Sequence, residues 1–335
     1  MHLGNRLQFI SSYLRRDVEV RHYPPAIEIE VTNRCNEDCI MCPRHQLTRP
    51  FGNLPMSLLE KILDEVKGHV ELINLFHFGE PLIHPQLAEM VRRCKDSGAH
   101  TMVTTNGTLL TEKRAKELIE SGLDMLVVSL DAASPAVYSR IRRLGDFHSV
   151  LKNVETFLLL KEKYGQGPYT QVQMVALQPN RHEIDEFIKQ WKGRVDSIRI
   201  KHFYNTANIG KEINEPPIDR EQARPCVMLW REPVILCDGT VLPCCVDMIG
   251  EQPVGNITER SLMEIWNGSE MVDMRQKHVQ GRHREIPICR DCHVFQFRWP
   301  FIVGSLLFND TTLRKMSTVL ENLETVKGAK KVRYS

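Results

Sequence analysis

The chain has 335 residues, 42% hydrophobic and 26% charged, with 44 Lys and Arg against 42 Asp and Glu for a net charge of +2. That balance gives no electrostatic footprint for nucleic acid, no run reaches the length of a membrane span, and residues 1–16 lack the apolar stretch of a signal peptide. Ten cysteines in a chain this long imply reduced thiols, metal binding and a cytoplasmic setting rather than a disulfide framework.

Residues 1–25 read as an N-terminal extension, and the first strand is expected at Ala26–Val31. It runs into Thr32-Asn33-Arg34-Cys35-Asn36-Glu37-Asp38-Cys39-Ile40-Met41-Cys42-Pro43. The CxxxCxxC spacing of Cys35, Cys39 and Cys42 is too tight for a disulfide framework. It offers three thiolates to one metal centre and leaves a coordination position open, as a four-iron cluster with one unliganded iron would. A zinc site completed from elsewhere, or buried thiols, would use the same residues.

Alternating helices and strands follow, the pattern of βα units around a parallel sheet. A helix is expected at Met56–Val66 with Ser57 as N-cap, a strand in Val70–Phe78, a helix in Pro85–Ser97 and a strand at His100–Thr105. The next helix spans Thr111–Ser121, capped by Thr111 and ended by Gly122. Strand Asp124–Leu130 is apolar almost throughout, as burial on both faces demands. Helices at 134–143 and 147–164, a strand at Thr170–Leu177, a helix at His182–Trp191 and a strand at Ser197–Phe203 complete six units. Six is too few for a closed eight-stranded barrel, and the pattern fits either a partial barrel or a doubly wound sheet. Both bind ligands beyond the C-terminal strand ends. Phe78-Gly79-Glu80-Pro81, Thr104-Thr105-Asn106-Gly107, Ser129-Leu130-Asp131 and Leu177-Gln178-Pro179-Asn180 fall there, as do His77, His84, Lys201, His202 and Tyr204.

A Pro-rich linker, 205–225, precedes a second cysteine set: Cys226, Cys237, Cys244, Cys245, Cys289 and Cys292. A hairpin centred on Asp238-Gly239 positions Cys244. With Cys226 and the Cys289–Cys292 CxxC it makes four ligands, for zinc or for a closed iron–sulfur cluster. Cys237 and Cys245 are spare, and Cys94 reads as a small core hydrophobe. The aromatic run from Phe295 to Phe308 reads as a core cover or subunit interface rather than a membrane contact.

The first cysteine run, with its apolar strand, Thr32-Asn33-Arg34 lead-in and Met41, resembles the signature of radical S-adenosylmethionine (SAM) enzymes. The resemblance implies a partial (β/α)6 barrel over 26–204 in which the open iron of a [4Fe-4S] cluster chelates SAM. Reductive cleavage then yields a 5′-deoxyadenosyl radical. Phe78-Gly79-Glu80 is similar to the family's Gly-Gly-Glu motif, with Phe78 in place of the first glycine. By the same resemblance, Met41, Gly79, Glu80, Asn106, Ser129, Asp131, Arg142 and Asn180 contact the cofactor, and Arg142 faces the SAM carboxylate. Residues 226–298 resemble a SPASM extension through Pro243-Cys244, Gly255-Asn256-Ile257 and Ile265-Trp266-Asn267. With no cysteine after Cys292, they match its shorter, single-cluster "Twitch" form, leaving 299–335 as a tail.

These resemblances imply oxidation of a carbohydrate-like small molecule, with the auxiliary cluster as electron acceptor and a flavodoxin- or ferredoxin-type donor. An epimerase using Cys245 as hydrogen donor is the alternative, as is a maturase of a ribosomally made peptide. The short segment before the first strand argues against the maturase. A non-catalytic iron–sulfur or zinc protein is the remote alternative.

Overall fold

The computed structural model describes residues 2–203, 225–290 and 292. Tyr204, the linker to residue 224, the aromatic run and the tail lie outside them, as does the side chain of His202.

Strands β1 (Ala26–Ile29), β2 (Leu72–Asn74), β3 (His100–Thr105), β4 (Met125–Ser129), β5 (Tyr169–Ala176) and β6 (Ser197–His202) lie side by side in chain order, each parallel to the next. The order never reverses. A doubly wound sheet needs a reversal to place helices on both faces, so this is the expected partial barrel. Helices α2 (Met56–Val66), α3 (Leu87–Asp96), α4 (Glu112–Glu120), α5 (Pro135–Arg142), α6 (Phe147–Tyr164) and α7 (Ile184–Trp191) fall between the strands. Their apolar faces join Ile27, Ile73, Val103, Leu126 and Val172 in the main core. Cys94 lies fully buried there, as expected of a small hydrophobe.

The opposite strand face carries a smaller apolar layer of Ala26, Leu72, Met102, Met125 and Val127. Period-two alternation then sets Glu28 and Asn74 on that face, one step nearer the C-terminal ends.

The caps follow local chemistry, with one correction. Thr111 accepts from Arg114 N at the start of α4, and Gly122 follows its end with φ +76°. Ser57, the expected N-cap of α2, lies inside the helix: Pro55 occupies the cap, and no side-chain cap bond forms.

Two features exceed the sequence reading. A short helix, α8 (Met228–Arg231), leads to β7 (Val234–Ile235), which joins the free edge of β1 in parallel register, Glu28 opposite Val234. The hairpin expected at Asp238-Gly239 then forms between β7 and β8 (Thr240–Leu242), and β9 (Gly255–Asn256) extends it. The cysteine-rich region thus continues the barrel sheet to nine strands.

The N-terminal extension contains helix α1 (His2–Arg15), whose Phe9, Ile10 and Tyr13 enter the core. Arg275, on α10 (Ser269–Val279) after α9 (Leu262–Trp266), ties this segment down. It donates to Leu229 O (2.8 Å), Val18 O (3.0 Å) and Trp266 O (2.7 Å), 4.5 Å from the Trp266 ring centroid.

Arg275→Ala strands those carbonyls in a dry interior. It is expected to cost about 3–5 kcal/mol, measured as a lower urea midpoint.

Candidate active site

The loop carrying Cys35, Cys39 and Cys42 has little regular structure, and its neighbours fix its shape. Thr32 and Asn33, both fully buried, clamp its return segment. Thr32 Oγ1 donates to Gly52 O (2.9 Å), Asn33 Nδ2 to Pro50 O (2.9 Å), and Gly52 N to Asn33 Oδ1 (2.8 Å). At the end of β2, Gly79 adopts φ +75°, and a Cβ there would lie 2.3 Å from Thr32 O and 2.6 Å from Arg34 O. Only glycine fits both that conformation and that approach. The next residue, Glu80, donates its N–H to Arg34 O (2.8 Å).

Glu80 is buried, and its carboxylate accepts from Leu82 N (3.0 Å), Thr105 Oγ1 (2.6 Å) and Asn106 N (2.7 Å). Burial raises its pKa against the pull of these bonds. Asn106 extends the chain, donating from Nδ2 to Asn36 Oδ1 (3.1 Å), with Cys35 Sγ at 4.0 Å. From the far side Ile40 N donates to Ile141 O (2.9 Å). Arg142, buried, donates to Cys39 Sγ (3.5 Å), Ser129 O (2.8 Å) and Asp131 Oδ2 (2.6 Å). Its neighbour Arg143 is exposed and faces Asp38, so the inward cation is Arg142.

The other expected contacts divide. Met41 is half-buried against the core, and Ser129 Oγ accepts from Gln173 Nε2 (2.7 Å). Asp131, at φ +61°, is saturated by Arg142 and Val175 N (2.7 Å). Asn180 Nδ2 donates to Asp131 O and Val175 O (both 2.8 Å), and its Oδ1 accepts from Leu177 N (2.7 Å). These two shape the strand ends from behind. His84 is likewise engaged, with Leu54 O and Gln86 N.

Glu37 was not expected. Buried inside the cysteine run, it accepts from Tyr138 Oη and Gly145 N (both 3.1 Å). The only sequence signal was an acidic residue between closely spaced cysteines.

Burial pushes the Cys35 pKa to about 11 and that of Cys39 to about 12, and raises Cys42 as well. Metal binding here must therefore displace protons.

The second thiol set converges elsewhere. Cys226, Cys244, Cys289 and Cys292 line one cavity with Met228, Leu229, Val246, His278 and Ile288. Cys237 lies apart, its N–H on Glu30 (3.3 Å) and its sulfur 3.9 Å from Arg49 Nη1. Cys245 packs on Val234, Leu236 and Leu242. His278 was also missed. Its Nδ1 lies 3.3 Å from Cys226 N, which can only donate, so in neutral His278 the proton sits on Nε2, 3.4 Å from Cys289 Sγ. Burial lowers the His278 pKa to about 4, which keeps the ring neutral.

A sequence-family model described as the radical SAM superfamily matches residues 29–190, and one described as an iron–sulfur cluster-binding domain (SPASM) matches 226–293. The chain belongs to the radical SAM superfamily. The tungsten-containing aldehyde ferredoxin oxidoreductase cofactor-modifying protein of Pyrococcus furiosus is 26% identical over 310 residues, 79% of this chain and 86% of that protein. Two solved structures share the fold. BtrN in complex with AdoMet and 2-DOIA has a TM-score of 0.56 at 21% identity, over 81% of this chain and 93% of that one. Streptococcus suis SuiB bound to S-adenosylmethionine has a TM-score of 0.64 at 17% identity, over 78% and 70%.

Radical SAM membership with a SPASM region implies a SAM-binding [4Fe-4S] cluster, SAM and auxiliary cluster binding. The residues present fit these groups. One loop offers three thiols beside strand-end polar groups, and one cavity is lined by four thiols.

Two outcomes follow from this geometry. Gly79→Ala should add about 1–3 kcal/mol of local strain and lower the iron retained by the Cys35 loop, read by iron counting with the second thiol set intact. His278→Ala removes an N–H···S bond and should lower the potential of a cluster in the second site by tens of millivolts, where about 59 mV is tenfold in a one-electron equilibrium. An EPR-monitored redox titration measures that shift.

Proposed function

We propose that this radical SAM protein oxidises a carbohydrate-like small molecule by hydrogen abstraction. When bound, the first cluster and SAM supply the 5′-deoxyadenosyl radical. Cys35, Cys39 and Cys42 hold that cluster, while Met41, Gly79, Glu80, Asn106, Ser129 and Arg142 frame SAM. Asp131 and Asn180 hold that frame in shape. Cys226, Cys244, Cys289 and Cys292 hold the auxiliary cluster, and a flavodoxin- or ferredoxin-type protein donates the electron.

One observation carries the oxidative reading: the auxiliary cavity presents four thiols, three of them buried. A cluster ligated at every corner has no position for substrate and suits the role of electron acceptor. The polar side chains on the barrel's inner face favour a hydroxylated substrate.

Two observations favour other outcomes. Burial, and then the charge of Glu28, raise the Cys245 pKa well above the usual thiol value, which keeps the S–H that an epimerase would donate. The Pyrococcus relative, named as cofactor-modifying, favours modification of a cofactor.

The test is anaerobic incubation of reconstituted protein with SAM, dithionite and a metabolite extract. Oxidation predicts 5′-deoxyadenosine together with a product lighter than its parent by H2. It also predicts that alanine at Cys226, Cys244, Cys289 and Cys292 preserves 5′-deoxyadenosine but removes that product. An isobaric product lost on Cys245→Ala would favour epimerisation and sink the oxidative reading.

A further inference from the structure

One polar cluster inside the barrel has no role in the arrangement described so far. Glu28 on β1 and Asn74 on β2 stand in register on the inner face, and His77 follows three residues on. All three are buried. Asn74 Nδ2 donates to Glu28 Oε2 (2.8 Å), and His77 Nδ1 donates to Glu28 Oε1 (2.7 Å). Each carboxylate oxygen therefore has its partner. The remaining polar atoms, His77 Nε2 and Asn74 Oδ1, are buried with no partner among the described residues.

An orphaned buried polar atom costs about 1–3 kcal/mol. Two such atoms flanking one carboxylate mark a place where a ligand completes the bonding. The apolar layer of Ala26, Leu72, Met102, Met125 and Val127 lies on the same strand face, toward the other end of the barrel. The cluster adjoins the elements that lead to both thiol sets. His77 precedes the Gly79–Glu80 turn by two residues, and Cys245 packs on Val234, the β7 partner of Glu28.

The charges at this point select the ligand. Burial pulls the His77 pKa down, but the hydrogen bond and charge of Glu28, with the charge of Glu30, outweigh it and leave the pKa raised. Facing a carboxylate at 2.7 Å, a charged imidazole presents Nε2–H as a donor beside the acceptor Asn74 Oδ1. An ammonium group has no acceptor for His77, and a carboxylate has no donor for Asn74. A hydroxyl supplies both.

We infer that Glu28, Asn74 and His77 form the receptor for a substrate hydroxyl, which accepts from His77 Nε2 and donates to Asn74 Oδ1. This rests on the reading above that the barrel holds the substrate for hydrogen abstraction. Glu28 acts through the other two, fixing the His77 ring and the Asn74 amide, and is a positioning residue.

Perdeuterated glycerol, a small hydroxyl-bearing probe, tests the assignment on the holoenzyme with SAM and dithionite. The expected result is deuterium in the 5′-deoxyadenosine from wild type. Incorporation should fall about tenfold or more in Asn74→Leu and His77→Phe, as loss of a buried hydrogen bond implies, with iron content and total 5′-deoxyadenosine kept. His77→Gln, which retains a side-chain N–H, should recover part of the transfer. Equal labelling in all variants overturns the receptor, as does unlabelled 5′-deoxyadenosine from wild type. No 5′-deoxyadenosine from wild type would instead remove the hydrogen-abstraction reading on which the receptor rests.

Discussion

The approach of Gly79 to the carbonyls of Thr32 and Arg34 is the constraint on which the first site depends. A loop with three thiols and almost no regular structure has no intrinsic reason to hold one shape. Here the end of β2 is pressed against its entry, and Glu80 passes the resulting position on through Thr105 and Asn106 to the neighbourhood of Cys35. On the other side Arg142 joins Cys39 to Asp131 and the end of β4. The thiols are thus set by four successive strand ends, which explains why the motifs recur there.

The second thiol set depends on the same sheet. Because β7 pairs with β1 in parallel register, the hairpin leading to Cys244 extends the barrel's own hydrogen-bond ladder. Arg275 adds a second tie, from α10 to the segment after α1. The separation between the two thiol sets is therefore fixed by backbone pairing. Cys245, beside Cys244 in sequence, turns to the inner face of the barrel while its neighbour lines the cavity.

Much of this was legible in the sequence, where a local rule decided the outcome. The CxxxCxxC spacing, the apolar run of β4, the Thr111 cap and the Asp238-Gly239 turn each depend on residues close in the chain. What escaped depends on distant partners. Nothing local distinguishes Glu37 from a solvated acid until Tyr138 and Gly145 arrive from about a hundred residues away. The partners that hold Asp131 and Asn180, on neighbouring strand ends, are likewise out of reach of any local rule. His278 gains its meaning only from two cysteines on other segments. Ser57 failed as a cap because Pro55, itself unable to donate an N–H, already begins the turn.

Independent binding of two clusters by the two thiol sets is open to direct measurement. Iron and sulfide counting with Mössbauer spectroscopy tests it most directly, on wild type, on the Cys35→Ala/Cys39→Ala/Cys42→Ala variant and on alanine at Cys226, Cys244, Cys289 and Cys292. Wild type should hold about eight irons and each variant about four. Wild type holding about four irons, all lost with the first set, would contradict it, because the second set would then bind no cluster.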